Sequence, residues 1–130
     1  MNHIPESHLD LLADETKALL FLGTLMKDGF PQVTPVWFNL EDDLILINAA
    51  EGRVKDRNMK ANPKVGMTIV ALDNIYHYLS IQGEVVEITT ENGREHINLL
   101  GQKYEGKDYN PAPGQTRTIY KIKPVKVFTG

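Results

Sequence analysis

The sequence predicts a mainly β protein: a six-stranded antiparallel sheet that closes into a barrel, with a few short helices, in a single domain over residues 1–130. Three observations carry this expectation. Segments rich in β-branched and aromatic residues recur along the chain. Turn signals such as Asp28-Gly29 join neighbouring segments as hairpins. Strands and helices do not alternate as they would in βαβ units, and no linker or repeat divides the chain.

The elements follow in order. Ser7 is placed to cap a short helix carrying Leu9, Leu11 and Leu12. The stretch ALLFLGTLMKDGFPQVTPVWFNL reads as two strands around Asp28-Gly29, and EDD turns the chain into a third strand, Leu44 to Asn48. GRVKDRNMKANP is a loop entering a short helix that stops near Asn62-Pro63. VGMTIVAL is the fourth strand, Asp73-Asn74 a turn, and YHYLSIQGEVVEI the fifth strand, with Gly83 marking a bulge or bend. Thr89 or Thr90 caps a helix whose Ile97, Leu100 and Tyr104 share one face, with Gly106 as its stop. KDYNPAPGQ is a loop, and TIYKIKPVKVF is the last strand, interrupted by Pro124.

Apolar residues make up 42% of the chain, enough for one hydrophobic core. There is no cysteine, which excludes disulfides and thiolate metal sites and fits a reducing compartment. A net charge of −3 does not favour nonspecific binding to nucleic acid or to an anionic membrane. No apolar run spans a bilayer, and the acidic N-terminus lacks a signal-peptide pattern, so the expected location is cytoplasmic.

Familiar catalytic constellations are missing. His3, His8, His77 and His96 show no metal-pair spacing, so no metal site is expected, and there is no nucleophile elbow or phosphate-binding P-loop. His3 and His8 read as solvated and His96 as lying beside an apolar helical stripe. One cluster stands out: Arg53, Lys55, Arg57 and Lys60 follow a strand end and a glycine in a chain of negative net charge. Two readings fit. The cluster is a solvated helix face balanced by Asp56 and Glu51, or Arg53 and Lys55 grip a phosphate beside a helix N-terminus.

Pro35 raises a separate question, because a central strand cannot use a residue without an N–H. It marks either an edge strand protected from aggregation or a place where the strand parts from its neighbour and a planar ring approaches the backbone. Trp37 and Phe38 alternate, so one fills the barrel and the other an interface or groove.

The run TLMKDGFPQVTPVWFNLEDDLILINAAEGRVKDRNMKANPKVGMTIV, with YHYLSIQGEVVEI, KYEGKDY and RTIYKIKPVKV, resembles the flavin- and deazaflavin-dependent oxidoreductases of the pyridoxamine phosphate oxidase class. The resemblance runs from about Leu19 to Val127 and is nearest to the F420-dependent subgroup. It implies an FMN-binding split barrel that forms a homodimer, with F420 or FMN between the subunits and a small conjugated molecule as substrate. Carried over by position, it implies that Arg53 and Lys55 hold the cofactor phosphate. Asn48, Ala49 and Ala50 would lie beside its ribityl chain, and Gln32, Thr34, Pro35 and Val36 would border its ring. His77 and Tyr78 would lie where the partner subunit approaches. Arg57, Lys60 and Arg117 are further cations suited to the polyglutamate tail of F420. The expected reaction is hydride transfer, with the proton donor left open among Tyr78, His77, Tyr109 and water. The alternatives are a cofactor carrier with little turnover and a haem-binding relative with His77 as axial ligand.

Overall fold

The computed structural model describes residues 4–130, so His3 lies outside the described residues. A 3-10 helix over Glu6–Leu12 leads into β1 (Leu19–Leu25), β2 (Pro31–Val36), β3 (Phe38–Glu41) and β4 (Leu44–Ala50). Helix α1 (Val54–Ala61) precedes β5 (Lys64–Ala71) and the long β6 (Asn74–Thr89). Helix α2 (Gly93–Glu105) then leads to β7 (Arg117–Thr129). All pairings are antiparallel, in the order β2-β1-β5-β6-β7-β4-β3.

Seven strands form rather than six, and the extra one comes from a break at Trp37. Residues up to Val36 pair with β1, and residues from Phe38 onward pair with β4. The two edges of the sheet are therefore consecutive pieces of one stretch of chain. That connection obliges the sheet to curl into a barrel split at Trp37. Pro35 lies on edge strand β2, paired only with Phe21 of β1, so one side of its backbone has no strand to serve.

The interior is filled by inward residues of nearly every strand, among them Leu20, Leu22, Phe38, Ile45, Ile47, Ile69, Leu79, Ile81, Tyr120 and Ile122. Leu11 and Leu12 of the 3-10 helix and Met59 of α1 join this core. Strand β4 is buried from Ile45 to Ala50 without alternation, because α2 packs over β4 and β7 and covers their outer side. A strand buried on both faces reads as a continuous apolar run, and LILIN is one.

Several local expectations hold. Gly83 sits at a register shift opposite Pro124, Asn62 and Pro63 follow α1, and Gly106 ends α2 in the left-handed conformation, φ 72°. The caps differ. The first helix is a 3-10 turn preceded by Pro5, and Ser7 bonds to His8 instead of capping it. Asn92, with φ 61°, precedes α2, while Thr89 accepts the Glu91 N–H in a tight turn just upstream. No helix among the described residues is long and apolar enough to cross a membrane.

Candidate functional site

The basic segment is shaped by a turn and a carboxylate. At the end of β4 the small residues Ala49 and Ala50 are buried, and Gly52 adopts φ 89°, which re-aims the chain into α1. Arg53 is the N-cap residue of α1, in extended conformation. Asp56, buried under the turn, accepts the Gly52 N–H at 2.9 Å, the Lys60 ammonium at 3.1 Å and the Tyr120 hydroxyl. Burial alone would raise the Asp56 pKa; the bonds from Tyr120, Gly52 and Lys60 outweigh it and hold the carboxylate below its ordinary value. The pKa of Tyr120 is driven up by burial and by its bond to Asp56.

The cations of this segment divide into two kinds. Arg57 donates to the Gly52 carbonyl, and Lys60 pairs with Asp56 and, at 3.8 Å, with Glu51. The balanced-surface reading thus fits Lys60. Arg53 and Lys55 make no salt bridge among the described residues. The Lys55 pKa is pushed down, first by burial and then by repulsion from Arg53 and Arg117. Three guanidinium or ammonium groups therefore lie close enough to repel one another, in a chain with more acids than bases.

Lys55 and Arg117 share a groove of about 310 Å³ with Asn48, Pro35, Val36, Trp37 and Tyr109, floored by Leu19, Ile97 and Leu100. Trp37 stacks on Tyr104 with 5.4 Å between centroids and meets Tyr109 edge-on at 6.0 Å. The Arg117 guanidinium lies 5.2 Å from the Tyr109 ring centroid. The groove thus combines aromatic rings with two cationic side chains, one of them set against the Tyr109 ring.

Arg117 is held by a line of neutral partners. Its Nε–H donates to Asn48 Oδ1 at 2.8 Å, and its Nη1 donates to Gln115 at 3.1 Å. Asn48 Nδ2 donates to the Gly93 carbonyl at 2.9 Å and to His96 Nδ1 at 3.0 Å. His96 Nε2 donates to Asn39 Oδ1 at 2.7 Å. Burial, then the positive charges of Arg117 and Lys121, push the His96 pKa down to about 4, so the ring is neutral at ordinary pH. Gly93 permits this arrangement: a Cβ there would sit 1.9 Å from the Arg117 carbonyl oxygen.

The structure thus brings together Pro35, Val36, Asn48 and Lys55 in one groove, with Arg53 beside it and Ala49 and Ala50 in the strand that leads to it. Gln32 and Thr34 turn to the opposite side of β2 from the exposed Pro31, Val33 and Pro35. Gln32 Oε1 and Thr34 Oγ1 are buried without a hydrogen-bond partner among the described residues. His77 and Tyr78 lie elsewhere in the chain. His77 bonds to Asp10 at 3.0 Å and lies against His8, and Tyr78 exchanges backbone bonds with Gly130. Sequence reasoning missed Asn39, His96 and Gln115 as members of the site. Asn39, a polar residue in a short apolar strand, carries a signal that could have found it, whereas His96 on α2 and Gln115 in the loop before β7 carry none. Among the described residues no cluster of His, Asp and Glu is suited to a metal ion.

A family model described as pyridoxamine 5'-phosphate oxidase matches residues 5–129. A solved F420 reductase shares 30% identity, with 96% of this chain and 98% of that chain covered and a TM-score of 0.85. A protein from Listeria innocua, provisionally described as a pyridoxamine 5'-phosphate oxidase, shares the fold at 17% identity, 95% coverage of both chains and a TM-score of 0.72. A conserved protein from Mycobacterium tuberculosis shares it at 18% identity, covering 95% of this chain and 82% of the other, with a TM-score of 0.73. No curated protein sequence matches significantly.

Proposed function

This chain belongs to the pyridoxamine 5'-phosphate oxidase family, and from that premise we propose that it is an oxidoreductase using F420, or FMN in its place, to reduce or oxidise a small conjugated molecule. One observation carries the reading: Lys55 and Arg117, with Arg53 close enough to repel Lys55, bring positive charge to a groove that also presents the Trp37 and Tyr109 rings. Such a groove suits a planar ring bearing an anionic tail. F420 comes first because the F420 reductase is 30% identical over nearly the whole of both chains.

The residues present fit the group. Arg53 and Lys55 offer a guanidinium fork and an ammonium to a phosphate, and a neighbouring anion would relieve the repulsion that depresses Lys55. Arg117 adds a third charge already fixed in direction by Asn48 and Gln115. Trp37, Pro35, Val36 and Tyr109 supply flat apolar walls that exclude water from a bound ring. On β2 beside Val36, Gln32 Oε1 is a buried acceptor and Thr34 Oγ1 a buried hydroxyl, donor and acceptor both, and neither has a partner among the described residues. When bound, F420 or FMN supplies the hydride chemistry, and the protein supplies grip, orientation and a dry wall. That division of labour accounts for a groove with no nucleophile–base pair.

The same reading includes a homodimer. On the outer face of the sheet Phe21 lies across from Pro35 and Thr68, and Phe128 lies across from Ser80. Phe21, Val33 and Phe128 are all exposed. An apolar sheet face of this kind calls for a cover, and a second copy would close the groove and bring His77 and Tyr78 of each protomer towards the other. Fluorescence titration of F420 and absorbance titration of FMN test the cofactor. Turnover with quinones and enones then separates an enzyme from a carrier. Failure of both cofactors to bind would remove the reading.

A further inference from the structure

We propose that His96 is a positioning residue for the groove: as the neutral Nε2–H tautomer it fixes the Asn48 amide in the one orientation that presents Oδ1 to Arg117, so a proton on Nδ1 and a seated Arg117 exclude each other. The proposal rests on the anion-binding reading of the groove only for what Arg117 grips. The relay itself stands on hydrogen-bond polarity.

The polarity is over-determined. Arg117 Nε is always a donor, so the Asn48 atom facing it at 2.8 Å is the oxygen. The nitrogen of Asn48 is then the atom facing the Gly93 carbonyl and His96 Nδ1. An NH₂ can serve both only if Nδ1 is an unprotonated acceptor, which places the ring proton on Nε2, against Asn39 Oδ1. Protonating Nδ1 sets donor against donor. Rotating the Asn48 amide would satisfy the imidazolium, but its NH₂ would then face Arg117 Nε and leave the buried Gly93 carbonyl without a donor. No intermediate arrangement satisfies every group, and a buried donor or acceptor left unpaired is costly.

Charge around His96 comes from several elements. Arg117 and Lys121 of β7 oppose its protonation. Glu41 of β3, Glu87 of β6, Glu91 in the turn and Glu95 of α2 line the depression of about 390 Å³ on its other side. The ring therefore stands between an acidic depression and a cationic groove, and reads the first into the second through one amide. Coulomb attraction alone would make a bound anion raise the His96 pKa. The relay makes the opposite demand: a ligand that needs Arg117 in place holds the proton off. Linkage fixes the size, since a tenfold coupling moves the titration midpoint by about one unit.

Two-bond ¹H–¹⁵N spectra of the histidine rings in the full-length protein test this directly. The expected result is an Nε2–H tautomer at neutral pH and an Arg117 Nε–H signal that shifts with the same midpoint as His96 on acidification. Saturating F420 or FMN should move that midpoint down. In His96→Asn, whose amide can still offer an oxygen to Asn48 but takes up no proton, the Arg117 signal should hold its neutral position through the same range. An Nδ1–H tautomer, an Arg117 signal indifferent to the His96 titration, or a midpoint raised by the cofactor would each overturn the proposal. If His96→Asn does not fold, the wild-type tautomer and the shared midpoint still decide. Failure of both cofactors to bind would remove the cofactor reading while leaving the relay measurable.

Discussion

Replacing Lys55 by Met separates what this residue does for the fold from what it does for the groove. In the ligand-free chain its ammonium is half-buried and repelled by Arg53 and Arg117, so its charge is a burden. Met keeps much of the stem and removes the charge, so ligand-free Lys55→Met should unfold at a higher temperature than the wild type. Binding should suffer, because a charge-assisted contact is lost at a cost of about 1.5–3 kcal/mol, or roughly ten- to a hundredfold in affinity. At a ligand concentration about 100 times the wild-type Kd, binding stabilises the wild type by about 2.7 kcal/mol. The same concentration should stabilise the variant by only about 1.4 kcal/mol after a tenfold loss, or about 0.4 after a hundredfold loss. Thermal unfolding with and without F420 reads both halves in one instrument. A variant less stable than wild type without ligand, yet shifted as far by it, would refute the assignment of Lys55.

The wild type should gain stability as pH rises from the lowered Lys55 pKa towards 10.5, where the unfolded chain holds the proton more tightly; Lys55→Met should lose that slope in urea titrations. Acid works through His96: between pH 6.5 and about 4 the unfolded state binds the additional proton, so stability should fall across that window. Full protonation should cost roughly 3 kcal/mol, and denaturant titrations of His96→Asn should show a flatter profile. Gly93→Ala forces a Cβ to 1.9 Å from the Arg117 carbonyl and should destabilise by more than about 2 kcal/mol, whereas Gly66→Ala meets open space and should fold normally. Asp56→Asn weakens a buried carboxylate that ties Gly52, Lys60 and Tyr120 together. It should lower stability by about 1–3 kcal/mol and weaken cofactor binding together, as calorimetry and titration would show.

Much of this was legible in the sequence because it depends on neighbours in the chain. Gly52, Arg53 and Lys55 lie within one short stretch of chain, so a basic turn at a strand end could be read directly, and the strands announce themselves by composition and by Asp28-Gly29. The extra strand was not legible. Val36, Trp37 and Phe38 look continuous, and only the curl of the sheet makes them change partners. The relay was hidden for a different reason. Arg117 reaches Asn48 through β4–β7 pairing, and His96 reaches it through helix packing, across 69 and 48 positions of sequence. A lone histidine beside an apolar stripe carries no local sign of that role. Arg117 itself was visible only as one more cation. Its convergence with Lys55 is a product of the fold.

The central claim is that the anionic tail of a redox-active ring is held where β4 runs into α1. A crystal structure with F420 or FMN bound tests it most directly. The account requires the phosphate to lie within hydrogen-bond reach of Arg53 and Lys55, with the ring along β2 near Pro35 and Val36. A cofactor seated instead in the larger hollow of about 500 Å³ on the outer face, over Gly23 and Gly66, and out of reach of Arg53 and Lys55, would contradict it.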